Sequence, residues 1–369
     1  MPGKLPPVLR VLLLYPLSVL YGIGVSLRNR LFDFKILKSR TFSISIICVG
    51  NITVGGTGKT PHVEYIIDFL KDEFSIATLS RGYKRKTRDF RIVTAKSKTE
   101  EVGDEPLQIK KKYNDITVAV DRNRVHGIEQ LIEKVKDLNL VLLDDGFQHR
   151  YVKPGLSILL VDYNRMITHD HLLPYGRLRE KKSAKRRANI IIVTKCPGGM
   201  KPIEQRLLHK ELSPFPYQNL FYTTLRYDDP APVFGAGNKK ISARNLLKEK
   251  KPAIALCGIA NPEPFINHIK SLSNPVIQKI LPDHYSYTDK DIQGLKRLLE
   301  TTDPEALIFT TEKDAMHLRE LENMPTAIKK RMYYIPVKID FLNQDTEKFK
   351  KILYKYVRQN KRSGFIHPS

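Results

Sequence analysis

The sequence predicts an α/β protein with a mostly parallel sheet, and three observations carry that prediction. Near-continuous apolar runs of strand length recur at residues 43–49, 140–143, 156–161 and 188–194, as strands buried on both faces require. Stretches with apolar residues at helical spacing separate them, so strand and helix alternate. The first run leads into residues 50–61, GNITVGGTGKTP, and then into the helical pattern of residues 62–70. Strand, Gly-rich loop and helix in that order make a phosphate-binding loop, and the fold class is P-loop NTPase-like.

The loop has a physical logic. Gly55, Gly56 and Gly58 let backbone N–H groups converge on phosphate oxygens, and the helix N-terminus adds partial positive charge. Lys59 reaches the outer phosphates and the Thr60 hydroxyl is placed to ligate Mg2+, with Thr53, Val54 and Thr57 completing the cradle. Thr53 stands where the general pattern G-x-x-x-x-G-K-[ST] has its first glycine. A Gly-rich turn without nucleotide chemistry is the plainer reading, but the GKT ending and its flanking elements favour a nucleoside triphosphate.

Composition narrows the partners. At 369 residues with 41% hydrophobic content the chain is long enough for two cores and too apolar for disorder. Its 63 Lys+Arg against 39 Asp+Glu leave a formal charge of +24, so the partners are anionic. Cys48, Cys196 and Cys257 are far apart and fit neither a disulfide framework nor a zinc site, which points to a reducing, cytoplasmic setting. Residues 11–27, VLLLYPLSVLYGIGVSL, sit at the short limit for a membrane span between Lys4, Arg10 and the cations Arg28, Arg30, Lys35, Lys38 and Arg40. We expect this segment to lie in or dip into a bilayer leaflet, held by apolar side chains and cations. A buried N-terminal core helix is the alternative.

Further along, residues 74–79 form a second strand ending in SRGYKRK, where Arg81, Lys84 and Arg85 face anionic substrate or are simply solvated. Asp104 and Glu105 open a helix over 107–113, where carboxylates also serve as caps. Residues 116–120 form a strand ending in Asp121-Arg-Asn-Arg124. The strand over 140–143 ends in Asp144 and Asp145, the way a P-loop NTPase delivers a carboxylate toward Mg2+, followed by Gln148 and His149 at the ligand edge. Between the next two strands, Arg177 and Arg179 are phosphate-binding candidates, with Glu180 to hold one of them. Thr194-Lys-Cys-Pro197 lacks the Asn and Asp of a guanine-reading loop and is set aside. Composition shifts near 213–237, and strands at 253–257, 276–281, 306–311 and 333–337 describe a second, smaller α/β domain without a P-loop. Asp283 and His284 at a strand end suit a general base, Thr310 to Asp314 is a further polar strand end, and residues 346–362 form a basic amphipathic helix that packs back on the first domain.

Taken jointly, GNITVGGTGKTP, SRGYKR, GDEP, DDGFQHR, GRLRE, ANIIIVTK, DHY and TEKD resemble the tetraacyldisaccharide 4'-kinase family, in order and spacing over most of residues 43–314. The resemblance implies two α/β/α domains joined by a two-stranded linker, residues 221–227 with 337–341, and ATP in the cleft between them. The chain then divides into an N-terminal segment 1–40, a kinase domain 41–219, a linker strand 220–228, a smaller domain 229–336 and a return strand with C-terminal helix 337–369. It implies transfer of the ATP γ-phosphoryl group to the 4'-hydroxyl of a tetraacylated glucosamine disaccharide 1-phosphate at the cytoplasmic face of the inner membrane of Gram-negative bacteria. Carried over residue by residue, Lys59 and Thr60 hold phosphates and Mg2+, and Asp144, Asp145 and Glu105 belong to the metal and water shell. Asp104 is the general base with His284 as its partner, and His149, Arg177, Arg179, Glu180, Arg81 and Arg122 lie near the lipid head group. A membrane-recruited regulatory NTPase is the competing class, disfavoured because it needs no base aimed at a sugar. A nucleic-acid partner is not expected, since no RRM, KH, helix-turn-helix or zinc pattern is present, and no obligate protein partner is expected.

Overall fold

The structure is a computed structural model that describes residues 6–235, 241–283, 285–303 and 305–364. Its strands in chain order are β1 (Ser45–Gly50), β2 (Ile76–Ser80), β3 (Arg91–Ile92), β4 (Thr117–Val120), β5 (Leu140–Asp144), β6 (Leu156–Asp162), β7 (Ile190–Thr194), β8 (Asn219–Tyr227), β9 (Ala231–Pro232), β10 (Ala253–Cys257), β11 (Val276–Ile280), β12 (Leu307–Thr311), β13 (Met332–Ile335) and β14 (Val337–Phe341). The helices are α1 (Pro7–Asp33), α2 (Lys59–Leu70), α3 (Thr99–Val102), α4 (Asp104–Lys112), α5 (Arg124–Lys134), α6 (Pro202–Leu212), α7 (Ala243–Glu249), α8 (Glu263–Leu272), α9 (Asp289–Thr302), α10 (Glu312–Arg319), α11 (Thr326–Lys329) and α12 (Thr346–Gly364).

Two sheets result, one ordered β14-β8-β7-β6-β1-β5-β2-β4-β3 and one ordered β11-β10-β12-β13-β9. The strands around β1 are parallel, and β1 lies between β5 and β6. The chain therefore fills one side of β1 with β2 to β5 and then turns to the other side with β6 to β8, and ligands bind at the carboxyl ends of strands at such a reversal. The P-loop follows β1.

Alternation along β1 sorts the core into layers. Ile47 and Val49 join Val63, Ile66 and Ile67 of α2, Leu107 of α4 and Phe349, Leu353 and Val357 of α12. Ile46 and Cys48 face the other way, toward Ile128 and Leu131 of α5 and Leu208 and Leu212 of α6. The smaller sheet is covered likewise by α9, α10 and α11 on one face and α7 and α8 on the other. Both bodies are three-layer α/β/α sandwiches.

Two sequence expectations change. Residues 333–337 are not one strand, because Pro336 has no N–H to give a ladder and splits them into β13 and β14. The linker strands do pair, antiparallel from Val337 opposite Tyr227 to Phe341 opposite Thr223. However, β8 also pairs with β7, from Asn219 opposite Ile190 to Tyr222 opposite Val193, so the tether is the edge of the large sheet rather than a free ribbon.

Helix α1 carries a stretch, Val11–Asp33, that is long and apolar enough to cross a membrane, with only 11% of its most apolar window buried. Leu12, Leu20, Ile23 and Leu27 are all exposed, which rules out a buried core helix. The helix is nevertheless fastened along one side. Ser18 Oγ donates to the Leu172 carbonyl (2.7 Å), Tyr21 OH to that of Arg179 (3.0 Å), and Arg150 donates to the Asn29 carbonyl (2.8 Å) and Asp33 (2.7 Å).

Candidate active site

The P-loop is held by the carboxyl ends of neighbouring strands. Gly58 takes φ +83° at the start of α2, a conformation that favours glycine, and so releases the following amides to the helix N-terminus. Asn51 Nδ2 donates to Thr57 Oγ1 (2.8 Å), and Thr194 Oγ1 donates to the Thr57 carbonyl (2.9 Å). Lys195 Nζ reaches the Gly56 carbonyl and Asp162 (2.7 Å). The GRLRE segment closes the other side, with the Val54 amide donating to the Arg177 carbonyl (2.8 Å) and the Arg179 amide to that of Ile52 (2.7 Å). The misfit Thr53 bridges Leu178 in this pairing. Thr60 is buried beneath the loop.

Beside the loop, β5 delivers two carboxylates with different environments. Asp144 is 1% exposed, and neither of its carboxylate oxygens has a hydrogen-bond partner among the described residues. Burial, reinforced by Glu105, pushes its pKa up to about 7. Asp145 has left-handed backbone (φ +51°) and faces Lys59 Nζ at 3.7 Å and Arg179 at 3.2 Å. Burial works to raise its pKa, but the two cations outweigh it and the carboxyl is held below its ordinary value. A cavity of about 350 Å3 opens here, walled by Arg81, Glu105, Asp144, Asp145, Arg179 and Glu180 from the large body and by Tyr21, Val25 and Arg28 from α1.

Asp104 occupies the first turn of α4, buried, with its Oδ1 3.2 Å from Nε2 of His317 on α10. Burial opposes the His317 imidazolium, but the adjacent Asp104 carboxylate more than compensates and raises its pKa above the ordinary value. His284, the partner expected from sequence, lies outside the described residues.

The expected head-group residues separate. Arg81, Arg179 and Glu180 line the cavity. Arg177 is exposed and contributes its backbone to the P-loop, and Arg122 is exposed outside the cavity wall. His149 is half-buried against Tyr151, with its pKa lowered to about 4 by burial and the nearby Arg124 and Arg81. Glu180 does not hold Arg177 or Arg179. It pairs with Arg187, which also donates to the Phe147 carbonyl (3.2 Å), while Arg179 is held by Asp145.

Four residues went unread in the sequence. Arg124, fully buried, donates to the carbonyls of Asp121 (2.8 Å) and Asp144 (3.3 Å), fixing the end of β5 from behind. Nothing local distinguishes it from Arg122 two positions earlier. Thr194 and Lys195 lack the pattern of a base-reading loop, yet they support the phosphate loop. His317 lies in TEKDAMH, whose helical spacing was visible but whose neighbour across the cleft was not.

A P-loop on a parallel sheet, a lysine and a paired strand-end carboxylate beside it, and an unpartnered buried aspartate define a P-loop phosphotransferase. A family model described as tetraacyldisaccharide-1-P 4'-kinase matches residues 10–358, and the chain belongs to that family of kinases. It is 44% identical to the tetraacyldisaccharide 4'-kinase of Phocaeicola vulgatus over 95% of this chain and 96% of that one. It is 39% identical to that of Flavobacterium johnsoniae over 94% and 97%. The crystal structure of LpxK from Aquifex aeolicus in complex with ATP superposes with a TM-score of 0.74 at 30% identity, covering 95% of this chain and 99% of that one.

Proposed function

We propose that this ATP-dependent kinase moves the γ-phosphoryl group of ATP to the 4'-hydroxyl of a tetraacylated glucosamine disaccharide 1-phosphate, the step that yields lipid IVA in lipid A biosynthesis. The observation that carries the reading is the cavity in which Asp144, Asp145 and Glu105 meet Arg81 and Arg179 against a wall of α1. A lipid head group entering it stays beside the apolar helix that would hold its chains.

In the reaction, the 4'-oxygen forms a bond to the γ-phosphorus, the bond from that phosphorus to the β,γ-bridging oxygen breaks, and ADP leaves. Transfer of this kind depends on positioning and charge neutralisation. The P-loop amides and Lys59 hold the triphosphate, with Asp145 and the bonds to Thr57 and Gly56 keeping lysine and loop in place. Asp104, 3.2 Å from His317, accepts the hydroxyl proton. Arg81 and Arg179 neutralise substrate phosphate, and Glu180, His149, Arg177 and Arg122 shape the surroundings.

Mg2+ suits the residues present. Asp144 offers two unpartnered buried oxygens, with Thr60 and Glu105 as the remaining protein ligands, directly or through water. This ion typically takes one or two carboxylates plus phosphate oxygens rather than a dedicated protein cage. Bound there, it would neutralise charge on the β- and γ-phosphates.

For localisation, α1, with Arg28 and Arg30 near its C-terminal end and Lys35 just beyond it, suits a peripheral or monotopic attachment to the anionic cytoplasmic face of the inner membrane. The bodies spanning 41–219 and 229–336 would move against each other as domains, through 220–228 and 337–369. The test is incubation with γ-labelled ATP and the lipid disaccharide 1-phosphate in mixed micelles. Labelled lipid is expected; ATP hydrolysis without labelled lipid overturns the reading.

A further inference from the structure

We propose that the turn over residues 213–218 is a second contact with the anionic bilayer, set beside the C-terminal end of α1. The proposal rests on the reading of α1 as the membrane-attached segment and adds a surface that the helix does not supply.

The turn joins α6 to β8 and holds two aromatic rings at the surface. Phe215 is 43% and Tyr217 56% exposed, and their rings stack at 5.6 Å with an interplanar angle of 7°. The backbone beneath them is clamped. Gln218 is buried, and its side chain donates to the carbonyls of Lys185 and Ala188, each at 2.7 Å. The same side chain accepts the Phe215 amide (3.0 Å), and the Gln218 amide donates to the Phe215 carbonyl (2.8 Å). Pro214 and Pro216 fix φ on either side of Phe215. Rings presented on so rigid a turn lose little conformational freedom when something covers them, which favours binding.

The location of the turn selects the occupant. The Tyr217 hydroxyl donates to the Arg186 carbonyl (2.6 Å), and the Arg186 guanidinium pairs with Asp33, the last residue of α1. Just past Asp33, Phe34 and Ile36 are exposed, interleaved with Lys35 and Lys38. Lys185 sets its cation over the Phe215 ring, 5.7 Å from the centroid. Two pairs of exposed apolar side chains thus flank one arginine at the end where α1 passes from its apolar run to its cations. Aromatic rings interleaved with lysine and arginine suit headgroup depth, where rings enter the acyl boundary and cations meet lipid phosphate. A second copy of this chain fits the patch poorly, since like charges would meet across it in a protein of formal charge +24. The contact also has a mechanical consequence. A body held by one helix can tilt about that attachment, whereas a contact displaced from the helix axis fixes the tilt, and with it the height of the cavity that Tyr21, Val25 and Arg28 of α1 wall.

The sequence contains no tryptophan, so one introduced indole reports alone. The full chain carrying Tyr217→Trp is placed in vesicles of phosphatidylethanolamine and phosphatidylglycerol, with and without lipids brominated on their acyl chains. Bromine should quench its emission, as it should for Leu20→Trp on α1, while Ile280→Trp at the end of β11 in the smaller sheet stays unquenched. Phe215→Trp repeats the measurement with the Tyr217 hydroxyl intact, and decides alone should Tyr217→Trp fail to fold. Phe215→Ser combined with Tyr217→Ser should lower partitioning onto the vesicles about 10-fold. Quenching at position 20 with none at 215 or 217, or unchanged partitioning of the double variant, overturns the second contact and leaves α1 as the attachment. Quenching at position 280 as well shows adsorption without orientation and overturns the proposal. An emission shift at 217 that grows with protein concentration in detergent, without vesicles, makes the turn a protein contact and overturns it too. Absence of quenching at position 20 sinks the reading of α1, and the second contact with it.

Discussion

The two sides of the reaction centre are built differently. On the P-loop side, every fastening described comes from the large sheet and its loops: Asn51 to Thr57, Thr194 and Lys195 to the loop carbonyls, the GRLRE backbone to Ile52 and Val54. On the Asp104 side, contacts within the large body, such as Lys112 with Glu64, are joined by contacts from α10 and its C-cap on the other sheet: His317 with Asp104, Glu312 with Lys112 and Glu320 with Thr99. The phosphate cradle is thus complete within one body, and the surroundings of Asp104 depend on how two bodies meet. Binding of nucleotide and readiness for transfer should be separable by mutation.

Breaking the first side should have the largest effect. Lys59→Ala should reduce phosphoryl transfer by about 10²–10³-fold or more, seen as lost label in the lipid with an unchanged melting temperature. The junction of the two sides comes next. Lys112 is the counter-charge shared by Glu64 and Glu312, both raised by burial, Glu64 to about 7. Lys112→Met should cost about 3 kcal/mol in urea unfolding, because a buried carboxylate, Glu64, and a half-buried one, Glu312, lose their cation.

A third test uses acid. His62 bridges the Gly58 carbonyl (2.7 Å) and Thr223 Oγ1 (3.1 Å), and burial lowers its pKa to about 4. The folded state keeps it neutral while the unfolded chain protonates near its ordinary value. Its contribution is therefore full above about pH 6.5 and is lost as pH falls toward 4, by at most about 1.4 kcal/mol per unit. His62→Gln should flatten the decline of melting temperature across that window. The smallest effect sharpens the comparison. Thr99→Val removes the hydroxyl hydrogen bond to Glu320 while keeping the one from the backbone amide, and should cost about 1 kcal/mol while leaving ATP affinity unchanged, since it touches only the cross-body side.

Legibility in the sequence followed the same division. The P-loop, the Asp144-Asp145 strand end and the alternation of elements could be read because each is a local pattern with a local cause. Pro336 was visible yet its consequence was missed, since a proline interrupting an apolar run marks a strand boundary only if the chain continues in another sheet. Glu180 was assigned to the wrong arginine because adjacency in sequence was taken for adjacency in space, and Arg187 arrives from the turn before β7. The meeting of His317 with Asp104 was illegible for the most general reason: it is set by an approach between helices that no periodicity encodes.

The return of β14 and α12 to the large sheet bears on how the protein is made. Phe341, Phe349, Leu353 and Val357 cover the same core layer as Ile47 and Val63, although the smaller sheet lies between them in the chain. During vectorial synthesis the ribosome releases the P-loop strand long before it releases the helix that covers that layer. The smaller body has all of its strands, 231–335, in one continuous stretch and can complete itself first. Until residues 337–357 emerge, the half that carries the nucleotide loop presents uncovered apolar surface, the kind of transient exposure that invites aggregation or chaperone binding.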